Sequence, residues 1–303
     1  MMRLQRALLS WYRRNGRNQL PWRQTRDPYR ILVSEFMLQQ TQVDRVIPIY
    51  AKFIEAFPTF ADLAAAGTAD VVRAWRGLGY NLRAVRLKRI AEEVERCHHG
   101  SLPLETQALL ALPGIGEYTA AAVRVFAFER DDVAVDANVR RVVHRILRGP
   151  EFPAALSDAE LREEAFAMTP PGRAHDWNSA LMDLGARICT SRAPACGRCP
   201  VHKDCVAAPL EEAKLRVLRS RHRRARSPEE RIAFPLSRRF ARGRIVDRLR
   251  ALPQGQRISL LDLRVQLRDV LSRTSLDLVE PLVMQLERDG IVQRDGDRVA
   301  LRD

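Results

Sequence analysis

Four cysteines fall within 17 residues: Cys189, Cys196, Cys199 and Cys205, spaced C-x6-C-x2-C-x5-C. Thiolates are soft ligands, and four of them in one loop can enclose a single metal centre. All-cysteine zinc sites usually present two C-x2-C pairs, and this loop holds one. A continuous wrap suits a cubane [4Fe–4S] cluster best, with a zinc site or a disulfide pair as the alternatives. Cys97 stands far from the others. It is expected to be an ordinary buried or half-buried thiol.

Two carboxylates and a glycine turn could also do chemistry. Glu35 lies in RILVSEFMLQQTQV, inside an apolar helical face. An ionised carboxylate is costly there unless paired or used, and a buried acid with a raised pKa can serve as a general acid. Asp136, in VAVDANVRRVVHR, stands just before a helix and reads either as its N-cap or as a second working acid. In LPGIGEYTAAAV, Gly114 and Gly116 flank Ile115 in a tight turn that opens a helix. This helix-hairpin-helix pattern leaves backbone N–H groups free to bind a phosphate, although a plain connection between helices would look the same.

The elements that must position these residues are helices. Apolar residues recur at helical spacing in Leu4–Trp11, Val43–Phe57, Val71–Trp75, Leu82–Val94, Ala120–Phe128, Val139–Leu147 and Ala180–Ile188, with proline and glycine between them. No convincing strand pattern occurs before residue 207, so the reading is an all-α core. Residues 219–231 (RSRHRRARSPEER) form a charge-dense stretch within an expected basic linker over 208–236. Helices are then expected near Arg238–Leu252, Leu260–Leu271 and Leu276–Asp289. Asp295-Gly296 between Ile291–Gln293 and Arg298–Leu301 signals a hairpin. Three helices and a hairpin describe a winged-helix domain over 237–303.

At 303 residues the chain has room for two or three domains. Its net charge is +14 and its pI about 10.5, which points to a polyanionic partner, nucleic acid before an anionic membrane. Residues 219–303 carry 20 arginines against 12 acids, more than half of the surplus. No apolar run reaches the ~18 residues of a membrane span, and Met1–Arg14 lacks a signal-peptide core. A thiolate cluster implies a reducing compartment, so a cytoplasmic, nucleoid-associated address is expected.

Taken in order, the motifs LPWR (Leu20–Arg23), SEFMLQQTQV (Ser34–Val43), GLGY (Gly77–Tyr80), LPGIGEYTA, VDANV (Val135–Val139), NSALMDLGARIC (Asn178–Cys189) and the cysteine loop resemble one family. It is that of the helix-hairpin-helix DNA glycosylases related to endonuclease III, and within it the adenine glycosylases of the MutY type. The resemblance runs from about Leu8 to Cys205. It implies a two-lobed all-α core over 1–207, with a helical barrel lobe at 28–134 and an iron–sulfur lobe made of 1–27 plus 135–207. It also implies a [4Fe–4S] cluster on the four cysteines and double-stranded DNA containing mismatched adenine as the partner of a monomeric enzyme. Glu35 would protonate the flipped adenine at N7. Asp136 would stabilise an oxocarbenium-like sugar, and Asn138 and Tyr118 would orient groups around the sugar and water. Trp22, Arg23, Leu38 and Asp183 match positions lining the adenine pocket. Gln40, Thr41 and Leu78 match positions near the opposite base, Tyr80 the wedge that fills the stack, and Gly114 and Gly116 the phosphate-binding turn.

Tyr118 discriminates within the family. Bifunctional relatives resembling endonuclease III carry a lysine there, whose amine forms a Schiff base with the sugar. A tyrosine implies a monofunctional glycosylase, and Gln39-Gln40 favours the adenine branch. Three features depart from that branch. Ala137 gives VDANV where VDGNV is usual, a form that recurs among thymine/uracil mismatch glycosylases. Asn81 stands where a second aromatic often follows Tyr80. The usual NUDIX-like C-terminal module is replaced by the short basic piece, which is expected to add phosphate contacts rather than read the opposite base. The alternatives are a thymine/uracil mismatch glycosylase and a non-enzymatic DNA-binding regulator with a redox-sensing cluster, although a regulator has no use for the Glu35 and Asp136 motifs.

Overall fold

The computed structural model describes residues 1–150, 156–221 and 233–303. Of the expected basic linker, residues 222–232 lie outside the described residues. The helices are α1 (Met2–Asn15), α2 (Pro28–Leu38), α3 (Val43–Ala56), α4 (Phe60–Ala65), α5 (Thr68–Ala74), α6 (Leu82–His98), α7 (Thr106–Ala111), α8 (Glu117–Phe126), α9 (Ala137–Leu147), α10 (Asp158–Ala167), α11 (Ala174–Arg187) and α12 (Glu212–Arg221). After them come α13 (Arg238–Arg250), β1 (Ile258–Ser259), α14 (Leu260–Gln266), α15 (Arg273–Leu276), α16 (Val279–Arg288), β2 (Val292–Asp295) and β3 (Arg298–Leu301). Among the described residues no helix is long and apolar enough to cross a membrane.

The chain forms two compact units. The first comprises Met1–Leu32, Leu104–Ala111 and Ile115–Ala225. Its core gathers the apolar faces of α1, α9 and α11. Leu4, Leu8 and Tyr12 recur four residues apart and place one face of α1 inside, against Trp177, Leu181 and Leu184 of α11 and Val142 and Ile146 of α9. A capping box starts α10, with the Ser157 hydroxyl accepting from Glu160 N–H and the Glu160 carboxylate accepting from Ser157 N–H.

The second unit comprises Val33–Pro103, Leu112–Gly114 and Arg226–Asp303. Here α4 packs on α6 after a capping box of Thr59 and Asp62. The C-terminal elements share a core with this helical layer. Ala69 and Val72 of α5 and Val85 of α6 are buried together with Ile245, Val246 and Leu249 of α13, Leu282 and Leu286 of α16, and Val299 and Leu301 of β3. The sheet has the order β1-β3-β2 with both pairings antiparallel, and the β2–β3 turn holds Gly296 at φ +59.

Several expectations are corrected. Cys97 is exposed on α6 near Glu93, because it falls on the polar side of that helix. The helix expected over Leu276–Asp289 is α16 and starts three residues later, at Val279, while a separate short helix, α15, precedes it on a Ser272 cap. The helix expected to reach Leu271 ends at Gln266. A short strand, Ile258–Ser259, pairs with Val299 and Arg298 on the far edge of the hairpin.

Candidate active site

The first unit holds Asp136 at the N-terminus of α9. Asp136 is the N-cap: its Oδ1 accepts from the backbone N–H of Asn138 at 2.9 Å and of Val139 at 2.7 Å. Its Oδ2 accepts from Asn138 Nδ2 at 2.9 Å. The half-buried carboxylate is therefore oriented by three donors at the positive end of a helix. The network continues outward. Arg141 Nη2 donates to Asn138 Oδ1 and to the Gly185 carbonyl, both at 2.8 Å, and Arg141 Nε donates to the Cys189 carbonyl at 2.7 Å. One turn on, Arg145 is 1% exposed and donates to the Thr190 and Ser191 carbonyls at 2.8 and 3.2 Å. One helix thus carries Asp136 at its start and two arginines that grip the chain at the beginning of the cysteine loop.

Sequence reasoning passes over Arg141, Arg145 and Gly185. Their signal is positional: Arg141 and Arg145 are four apart and share a face of α9 with Ala137. Gly185 is a contact glycine, since a Cβ there would stand 2.6 Å from Asn138 Cβ and 3.1 Å from Asn138 Cα. Only a bare backbone lets α11 come this close to the start of α9.

Arg23 and Asp183 are brought together. Asp183 is wholly buried, and Arg23 bonds both of its oxygens, at 2.7 and 3.0 Å. Arg17 adds its backbone N–H and its Nε, each at 2.8 Å. Burial pushes the Asp183 pKa up, but the hydrogen bonds and charge of Arg23, with Arg17, outweigh it and hold the carboxyl below its ordinary value. Trp22 is buried on the short 3-10 turn Pro21–Arg23. Tyr118 is half-buried in the first turn of α8, with Gly116 as the N-cap of that helix.

The cysteines converge on one apolar pocket of about 310 Å³, counting space open to solvent. Its lining includes Cys189, Cys196, Cys199 and Cys205 with Ile188, Pro194 and Leu210. All four thiols are free of disulfides. Burial raises the Cys199 thiol to about 12 and pushes Cys189 and Cys205 up as well, while Arg145, 3.5 Å from the Cys189 sulfur, pulls that thiol back. Among the described residues no three His, Cys, Asp or Glu side chains stand close enough to share one metal ion. The four thiols are soft donors gathered with apolar side chains around one pocket, a donor set that fits an iron–sulfur cluster.

The second unit holds Glu35, Leu38, Gln40, Thr41, Leu78, Tyr80 and Gly114. Glu35 is 6% exposed and lies on α2 among the buried Ile31, Leu32, Phe36 and Met37. Leu38 and Thr41 are half-buried, Leu78 is buried, and Gln40 and Tyr80 are exposed. Gly114 has φ +90, and a Cβ there would meet Arg86 Cδ at 2.8 Å, so this turn position calls for glycine.

A residue not singled out in the sequence joins the Gln39–Thr41 turn to the GLGY loop. Arg83, 6% exposed, donates from Nη1 to the carbonyls of Phe36, Met37 and Gln39 at 2.8, 3.1 and 2.5 Å. From Nη2 it donates to Thr41 Oγ1 and to the carbonyls of Leu78 and Gly79, at 3.1, 3.1 and 3.3 Å. Both segments are strained, with φ +54 at Gln40 and +45 at Tyr80. A left-handed non-glycine residue costs roughly 1–3 kcal/mol and persists only where its surroundings hold it. Arg83 supplies that hold, and burial lowers its own pKa to about 10.

Comparison with known proteins adds to this geometry. Residues 33–166 match the profile of the HhH-GPD superfamily of base excision DNA repair proteins. The adenine DNA glycosylase of Mycolicibacterium smegmatis is 47% identical over 196 residues, covering 64% of this chain and 66% of that protein. The human adenine DNA glycosylase is 40% identical over 211 residues, covering 66% of this chain and 38% of its own. The chain thus spans less than two thirds of the length of these curated relatives. Among solved structures, a thermostable thymine-DNA glycosylase is 36% identical with a TM-score of 0.62, covering 66% of this chain and 93% of its own. An endonuclease III in a non-covalent DNA complex is 21% identical with a TM-score of 0.57, a likeness of fold.

Proposed function

We propose, since the chain belongs to the HhH-GPD superfamily of base excision DNA repair proteins, that it removes adenine mispaired with 8-oxoguanine or guanine from double-stranded DNA by hydrolysing the N-glycosidic bond. The observation that carries the reading is the contrast between its two acids. Glu35 is buried on an apolar helix, and Asp136 is half-buried and held by three donors at a helix start.

The target adenine leaves the stack, because its glycosidic bond is unreachable inside the duplex. Glu35 gives a proton to adenine N7, which makes the base a better leaving group. As the bond between N9 and the sugar C1′ breaks, positive charge spreads over the sugar, and Asp136 stabilises it, electrostatically or as a transient nucleophile. Water adds its hydroxyl to C1′ and gives its other proton to the Glu35 carboxylate, which restores the acid and leaves an abasic site and free adenine. Asn138 and Tyr118 orient groups around the sugar. Trp22, Arg23 and Leu38 line the base pocket. Asp183 is fully engaged by two arginines, so its part is to fix Arg23. Gln40, Thr41 and Leu78 meet the opposite base, Tyr80 fills the stack, and Gly114 and Gly116 present N–H groups to a phosphate. Cys189, Cys196, Cys199 and Cys205 hold a [4Fe–4S] cluster that braces the loop gripped by Arg141 and Arg145. The enzyme works as a monomer in the cytoplasm, associated with the nucleoid, and residues 237–303 serve as a winged-helix domain.

Two observations favour a second reading, a thymine/uracil mismatch glycosylase. One is Ala137; the other is the identity with the solved thymine-DNA glycosylase. One assay separates the two readings: duplexes with A:8-oxoG, A:G, T:G and U:G, treated with alkali to reveal abasic sites. Cleavage at adenine alone supports the first reading, and cleavage at T:G or U:G in its place supports the second. Borohydride should trap no covalent adduct, because Tyr118 lacks the amine that a Schiff base needs.

A further inference from the structure

The C-terminal piece reaches the GLGY loop at two adjacent residues. Tyr80 stands on that loop 45% exposed, its backbone in the left-handed region. Arg239 of α13 donates from Nη1 to Tyr80 Oη at 2.8 Å, and its guanidinium carbon lies 5.8 Å from the Tyr80 ring centroid. Arg83 approaches the same ring at 5.6 Å, so the phenol ring has two cations against it. Arg239 is backed in turn by the exposed ring of Phe234 at 4.9 Å, which meets Phe240 edge-on at 5.4 Å. The next loop residue, Asn81, accepts from Arg250 Nη2 at 2.6 Å, and Arg250 also donates to the Val72 carbonyl at 3.0 Å. The Arg250 side chain is only 7% exposed, and α13 lies in the core that includes Val72 and Val85. The asparagine that replaces the usual second aromatic is thus an anchor for the tail.

We propose that the C-terminal piece is part of the strand-opening device: Arg239 is a positioning residue that pre-sets Tyr80 for insertion between base pairs. This rests on the reading of the chain as a base-excision enzyme. A side chain inserted into a base step must offset the cost of unstacking. An exposed tyrosine free to rotate would also lose rotamer freedom on insertion. A hydrogen bond at the hydroxyl and a cation at the ring fix its orientation beforehand, so that less of the binding energy is lost to ordering. Arg239, exposed at the start of the basic α13, together with Arg83 puts positive charge at this loop, where phosphates would lie.

The test uses full-length protein carrying Glu35→Gln, so that the target base stays in place. The duplex has an A:G mispair with 2-aminopurine beside it, a base that brightens when unstacked. At saturating protein, Arg239→Ala should reduce the fluorescence rise roughly fivefold, the worth of a charge-assisted bond with a cation–π contact. Saturation ensures that weaker phosphate binding cannot imitate the effect. Tyr80→Phe keeps the ring, removes the bond from the other side, and should give a smaller loss. In the Tyr80→Phe background, Arg239→Ala should then cost less than it does alone. Arg239→Lys, which keeps a cation able to donate to the hydroxyl and to face the ring, should recover part of the rise and guards against a misfolded alanine variant. An undiminished rise in Arg239→Ala, or equal losses in both backgrounds, would overturn the proposal. Adenine release by the Glu35 protein is scored separately: its absence would sink the enzymatic reading, while the fluorescence still decides whether Arg239 sets Tyr80.

Discussion

Arginine secures backbone in both units, but in different ways. In the first unit the hold on Asp136 is spread over a helix cap, Asn138, Arg141, the close approach of Gly185 and a cysteine loop gripped by Arg145. In the second unit one buried guanidinium, that of Arg83, serves five carbonyls and a hydroxyl across two strained turns. A distributed hold lets one partner fail while the fold survives and geometry suffers. A concentrated hold ties local fold and geometry to one side chain.

The largest expected effect is at the concentrated point. Arg83→Ala leaves several buried carbonyls without a donor and should cost about 3 kcal/mol or more in a urea unfolding experiment. Arg83→Lys should recover little, because three donors on a point charge cannot serve six acceptors. A shift under about 1 kcal/mol for Arg83→Ala would contradict its role as the staple.

In the first unit the cysteine loop comes next. The protein should be brown and carry roughly four irons per chain, and Cys199→Ser should lower the iron content and the midpoint of thermal unfolding together. Stoichiometric zinc in anaerobically prepared protein would overturn the cluster assignment. Arg141→Gln should slow single-turnover excision roughly 10–100-fold through misplacement of Asn138 and Asp136, with little change in urea midpoint. If the midpoint fell as far as in Arg83→Ala, the distinction between the two holds would disappear.

The smallest effect is in acid. Asp183 has a depressed pKa in the fold, so its contribution to stability is fully present above the unfolded carboxylate value and is lost as pH falls through the folded one. Asp183→Asn should lower stability at neutral pH and flatten the acid limb. An unchanged acid limb would show that the pair with Arg23 and Arg17 is not coupled to folding.

What could be read in the sequence was local. The cysteine spacing, the cap at Asp136, the Asp295-Gly296 turn and the helical periods are written in neighbouring residues, and the corresponding elements lie near their expected positions. What could not be read joins distant segments. Arg83 bonds carbonyls up to 47 residues away, and a carbonyl has no sequence signature. Ala69, Val72 and Val85 look like ordinary apolar positions of their own helices, and nothing local shows that they complete a core with residues 241–301. A two-residue strand such as Ile258–Ser259 is too short to show alternation. The exposure of Cys97 turns on which side of α6 faces the core, and its neighbours Arg96 and His98 leave that open to error.

The most direct test of the two-acid account is single-turnover release of adenine from an A:8-oxoG duplex by the unaltered protein, by Glu35→Gln and by Asp136→Asn, with DNA affinity measured alongside. The account predicts release by the unaltered protein and a loss of at least ~100-fold in each variant, with affinity retained, in line with general-acid and electrostatic contributions. Near-normal release by either variant would contradict it.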